Sequence, residues 1–171
     1  MRLPRRISAW AIGTLLGLCI AAAPTEAATQ IVKVNALVSK PLTLTMVQSL
    51  DLGTIALGPG SWSGATVAIS RTGAFTCGNT NITCSGTSQV ATYNATGSNG
   101  EIAHITAPDV LLTNQTDASK TLTLVLDNPG TIVFTNSGNK GVNFSLGGAI
   151  TLSSTTAAGV YTGNMNVTVD Y

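Results

Sequence analysis

Three cysteines, one histidine and a few scattered carboxylates are all that this 171-residue sequence offers for chemistry. Cys77 and Cys84 stand close together in TCGNTNITC, while Cys19 lies in an apolar stretch near the start. In an oxidising compartment a spaced pair of this kind bridges. The loop is short, so the bridge contributes about 2–3 kcal/mol in the chain-entropy account. A metal or redox site would need further Cys or His at set spacings, and His104 is the single histidine. A structural Cys77–Cys84 disulfide is therefore the expectation, with no metal and no cofactor.

Catalysis finds little support. His104 is the one general base of the usual kind, and Glu101 precedes it by three positions, which places the two on opposite faces of a strand. Asp51, Glu101, Asp109, Asp117, Asp127 and Asp170 are spread over turns and strand ends, and no pair is singled out for acid–base work. GPGSWSG (58–64) lacks dinucleotide spacing, and no helical pattern follows it. The reading is that the protein is not an enzyme.

The elements that must position these residues start after a leader. MRLPRR is basic, SAWAIGTLLGLCIAAA is apolar and small, and PTEAATQ offers a cleavage site after Ala27. That order reads as a secretory signal peptide over residues 1–27, with an apolar run too short for a membrane helix. The leader places the protein outside the cytoplasm, in the periplasm in transit and then at the cell surface or beyond. Removing Arg2, Arg5, Arg6 and Glu26 leaves five basic and six acidic residues. Five scattered cations form no basic patch, so nucleic acid is excluded as a partner, and the mature chain has no membrane span. Such low charge on a β-rich chain is an aggregation hazard for a free monomer.

Short Val-, Ile-, Leu- and Thr-rich runs fill the rest, separated by Gly, Asn, Pro and Ser. They are 30–38, 41–47, 50–57, 65–70, 88–96, 101–107, 109–113, 120–127, 131–135, 147–153 and 159–171. β-branched residues in short runs suit a half-buried pleated sheet. Asn99-Gly100 and Asp127-Asn128-Pro129-Gly130 carry hairpin or tight-turn chemistry. The pattern predicts a single all-β domain, an antiparallel sandwich or barrel, over residues 41–171. An N-terminal extension over 28–40 stands apart.

The clearest alternation is in GVYTGNMNVTVDY. Tyr161, Gly163, Met165, Val167, Val169 and Tyr171 share one face, against Thr162, Asn164, Asn166, Thr168 and Asp170 on the other. This predicts one regular strand inside a sheet, paired on at least one side. In the extension, Val32, Val34, Ala36 and Val38 share a face, while Ile31 and Leu37 break the pattern.

SLDLGTI (49–55), GEIAHITAP (100–108), LGGAITL (146–152) and the tail resemble the bacterial domain of unknown function 4402 family over nearly the whole mature chain. More distantly, the two ends resemble spore-coat-U-like and archaic chaperone–usher pilin subunits. The pilin resemblance implies a single immunoglobulin-like antiparallel sandwich that lacks one strand. A periplasmic chaperone fills the gap first, at an outer-membrane usher. The N-terminal segment of a like subunit then replaces it, building a head-to-tail fibre, or pilus, by strand addition. On that reading Val32, Val34, Ala36 and Val38 are donor-strand residues. Tyr161, Met165, Val167, Val169 and Tyr171 then form the acceptor and chaperone-facing strand. The alternative for residues 29–38 is the domain's own first strand. The protein would then be a self-complete secreted module for adhesion or carbohydrate, with Trp62, Tyr93 and Tyr161 as stacking candidates.

Overall fold

The computed structural model describes residues 30–136 and 140–171. The signal-peptide reading of residues 1–27 lies outside them. Contacts divide the chain between Ala36 and Leu37. Gln30–Ala36 form no strand, and each of their side chains is exposed, Val32 at 76% and Val34 at 87%.

Leu37–Tyr171 is all-β and antiparallel, with no helix among the described residues. Its strands are β1 (Thr43–Gln48), β2 (Thr54–Leu57), β3 (Ala65–Ile69), β4 (Phe75–Cys77), β5 (Ile82–Ser85), β6 (Ala91–Thr96) and β7 (Ile102–Thr106). They continue with β8 (Val110–Asn114), β9 (Thr121–Asp127), β10 (Thr131–Val133), β11 (Val142–Leu152), β12 (Tyr161–Thr162) and β13 (Thr168–Asp170). One curled sheet runs β1-β6-β11-β9-β8-β12, with β3 on β11 and β4 on β3. A three-stranded sheet, β10-β7-β13, and a ribbon, β2-β5, complete the fold.

β11 is the spine. Its first half pairs with β6 (Phe144 opposite Tyr93), its second half with β3 (Ile150 opposite Val67), and its middle with β9 (Ala149 opposite Val125). The expected run began at Gly147. The strand instead starts at Val142 and passes through Gly147 and Gly148. A Cβ on Gly148 would meet the side chain of Leu124 at 2.7 Å, so the absence of a side chain lets β9 pack closely there.

Period-2 alternation makes two cores. Ala91, Tyr93 and Ala95 of β6 meet Ala103 and Ile105 of β7, Ile132, Phe134, Phe144 and Leu146. Val67 of β3, Ile82, Val110, Leu124, Ile150 and Leu152 form the second. Leu50 and Met165 pack against both.

Three sequence expectations change. β4 and β5 were not foreseen, because TCGNTNITC carries few apolar residues. The two turns do not close hairpins. Glu101 N–H donates to Ser98 O, and Gly130 N–H to Asn128 Oδ1, but the strands on either side pair elsewhere, so both turns carry the chain between sheets.

The third change is in the tail, which is two short strands and not one. β12 pairs with β8 and β13 with β7, leaving Gly163–Val167 outside any strand. The cause lies in the partner strand. Ala107-Pro108-Asp109 separates β7 from β8, and proline supplies no N–H to a ladder.

The Cys77–Cys84 disulfide joins β4 to β5 and so ties the β2-β5 ribbon to the main sheet. Replacing both cysteines with alanine is expected to lower stability by about 2–3 kcal/mol. Denaturant melts of the double variant, and of native protein with and without reductant, measure it. Superimposable curves would show that the bridge contributes nothing.

Candidate functional site

An open cavity of about 1060 Å³ lies along the Leu37–Tyr171 domain. Its floor is apolar: Val110 and Leu112 of β8, Leu122 and Leu124 of β9, and Ile150 and Leu152 of β11. One wall is Ser49–Leu57 and the other is Thr156–Met165.

Both walls are built in the same way. On the first side β1 lies on β6, its register shifts between Met46 and Gln48, Asp51 bridges Gln89, and β2 then pairs with β5. On the second side β12 lies on β8 and β13 on β7, with Gly163–Val167 unpaired between them. Among the described residues each of β1, β2, β12 and β13 has a single strand partner, so each presents an edge that no described strand covers. A bulge where a strand changes sheets is a usual way to bend an edge.

The side chains that face the cavity are incompletely covered. Leu52, Ile55, Leu57, Leu112, Leu122 and Met165 are half-buried, above a floor in which Leu124 is 3% exposed. Tyr93 stacks on Phe144 at 5.6 Å, and burial pushes its phenol pKa above the ordinary value. The hydroxyl donates to Met165 Sδ at 3.8 Å.

The rim of the second wall is held by Asn114, which is 2% exposed. Its Nδ2 donates to Ala158 O at 3.0 Å, and its Oδ1 accepts from Thr116 N–H at 2.9 Å. Nothing in NQTDAS marks that asparagine in advance as buried, beyond its being a turn former.

The predicted site residues fall in distinct places. Val32, Val34, Ala36 and Val38 are exposed and outside any strand. Tyr161 is half-buried on the cavity wall, its hydroxyl donating to Ala157 O at 2.8 Å. Met165 is on the same wall, while Val167 and Val169 pack on the first core. Tyr171 is 45% exposed, with its ring edge-on to Phe134 at 6.2 Å.

Of the stacking candidates, Tyr93 and Tyr161 both line the cavity, while Trp62 does not. Trp62 is half-buried and donates to Gly58 O, Tyr93 is buried, and Tyr161 stands on the groove wall. His104 is exposed on β7, across from Asp170 and Thr131. Among the described residues no three His, Cys, Asp or Glu side chains come together to hold a metal, and no helix is long and apolar enough to cross a membrane.

These features define an all-β, antiparallel domain with an apolar groove between two edges that change sheets. Residues 42–171 match the family described as a domain of unknown function, DUF4402, and the chain belongs to that family. No curated protein and no solved structure matches it.

Proposed function

We propose that this protein is a structural subunit of a bacterial surface fibre or coat, assembled by donor-strand exchange between copies. The observation that carries the reading is the apolar-floored groove between the walls Ser49–Leu57 and Thr156–Met165, whose strands each have one strand partner among the described residues. On this reading the fold is an immunoglobulin-like sandwich lacking one strand. The missing strand is residues 29–38 of a second copy, with Val32, Val34, Ala36 and Val38 turned to the floor.

Three features support that occupant. Val32, Val34, Ala36 and Val38 recur with the period of a strand, although Ile31 and Leu37 break the alternation, and the segment keeps large apolar side chains in water, Val38 at 89% exposure. Residues 29–38 number ten against the nine of the wall Ser49–Leu57, so an extended strand of about 3.3 Å per residue is long enough to run along that wall. The groove offers apolar floor and unpaired backbone together, which is what strand addition uses for register and affinity. The contact is heterologous and does not close, so it builds a filament. Before assembly the groove needs a cover. The partners proposed are a periplasmic chaperone and an outer-membrane usher, met after export directed by residues 1–27. The role is structural and not enzymatic.

The test is a point change in the donor. Val34→Asp should leave folding untouched, because Val34 is 87% exposed. It should abolish an SDS-resistant ladder of polymers, since a buried unpaired carboxylate costs several kcal/mol. Deleting residues 28–38 should do the same. A wild-type chain that stays monomeric in the presence of its chaperone, or a ladder indifferent to both changes, would refute the reading.

A further inference from the structure

Lys40, Ser98 and Tyr171 close a ring of three hydrogen bonds. Lys40 N–H donates to Ser98 Oγ at 2.6 Å. Ser98 N–H donates to Tyr171 Oη at 2.8 Å. Tyr171 Oη–H donates to Lys40 O at 2.8 Å. The Tyr171 ring is seated edge-on against buried Phe134, so the hydroxyl is held in place by the first core. Pro41 follows, and a residue before proline is kept extended.

Lys40 is the root from which residues 30–38 leave the domain. Tyr171 ends the same tail segment whose Tyr161–Met165 stretch forms a groove wall. From Met165 the tail runs through Val167 and Val169, packed on the first core, into β13 and then to the ring at Lys40. The place where a donor would be received and the root of the donor given away are thus joined by about ten residues of one segment.

We propose that Tyr171 is a positioning residue of the assembled fibre. It fastens the donor root to the acceptor segment, so that tension entering a subunit through its groove leaves through its own N-terminal segment along the tail. This inference rests on the strand-exchange reading. The ring gives a pull on Lys40 a path into the tail beside the one through β1. Load that reaches β1 meets first its end pairs Thr43–Thr96 and Leu44–Ala95, and strand ends open at the lowest free energy.

The experiment uses fibres of the full chain carrying Tyr171→Phe or Ser98→Ala, the first of which keeps the ring on Phe134. Both variants should still form the SDS-resistant ladder. In single-fibre stretching their subunits should unfold at lower force than wild type. Amide exchange at Thr43–Thr45 should quicken about tenfold in Tyr171→Phe, as expected for losing two hydrogen bonds. Wild-type force and exchange in both variants would overturn the proposal. Loss of the ladder in Tyr171→Phe alone would also overturn it, because the hydroxyl would then serve exchange itself. A wild-type chain that forms no ladder defeats the strand-exchange reading instead.

Discussion

Moving residues 28–38 from the front of the chain to a position behind Tyr171, through a flexible linker, should yield a monomer, where the proposed strand exchange would have the native chain polymerise. That monomer should melt roughly 10 °C above the same domain with the segment deleted. The tethered segment would place Val32, Val34, Ala36 and Val38 over a floor that includes Leu124 and Ile150, and it would cover half-buried Leu52, Ile55, Leu112 and Leu122. Each larger side chain that leaves water contributes ~1.5–3 kcal/mol, and the segment's ordering opposes at ~1–2 kcal/mol per residue. The groove side chains and the edges of the two walls gain in the same step. A net of about 3 kcal/mol, roughly the burial of one large core side chain, is the expected balance. Light scattering and calorimetry on the pair measure it. Equal melting temperatures, with the permuted chain still polymerising, would exclude this segment as the missing strand.

The second large effect is in the first core. Phe134→Ala should cost about 3–5 kcal/mol, a large share of the ~5–15 kcal/mol that holds a typical domain. Phe134 is 1% exposed and follows directly on β10. Its backbone accepts from Gly100 N–H and donates to Glu101 O, so the ring is fixed from both sides of the Asn99-Gly100 turn. Gly97 lies against the ring so closely that an added Cβ would overlap it. Removing the ring therefore opens a void that backbone cannot easily fill, and it also takes the seat from under Tyr171. Phe134→Leu should lose less than half as much. Denaturant melts decide, and a loss for Phe134→Ala under about 1 kcal/mol would mean that the site collapses freely.

Most of the framework could be read from side-chain alternation. LTLTM, TLTLVLD and NVTVDY reveal their inward faces because β-branched and polar residues take turns. What stayed hidden has physical reasons. β4 and β5 are held by the disulfide and by ribbon pairing, with Ile82 the one fully buried side chain of the two. β11 continues through two glycines that look like a stop, because only distant neighbours explain their smallness: the Ile69–Arg71 backbone at Gly147 and the Leu124 side chain at Gly148. The split of the tail was invisible in the tail itself, since its cause, Pro108, lies between the two strands the tail pairs with. The alternation in GVYTGNMNVTVDY identified which side chains turn inward, yet it could not say that two of them would line a groove left open. That depends on where β2 lies, and β2 is placed by a strand that sequence pattern did not show. Tyr171 looked like one more inward residue, and its hydroxyl chemistry emerges only when Lys40 and Ser98 arrive beside it.

The spine strand has a kinetic consequence. Every partner of β11 is made long before it: β3 ends at Ile69, β6 at Thr96 and β9 at Asp127, whereas β11 ends at Leu152. As the chain is synthesised or threaded through a translocon, those three strands must wait without their common neighbour. Pairings so distant in sequence close slowly, on the scale of milliseconds to seconds. During that delay the nascent chain displays sticky, uncharged β-segments. A helper that captures the unfinished chain as it emerges would act first on a folding lag, before any question of polymer order arises.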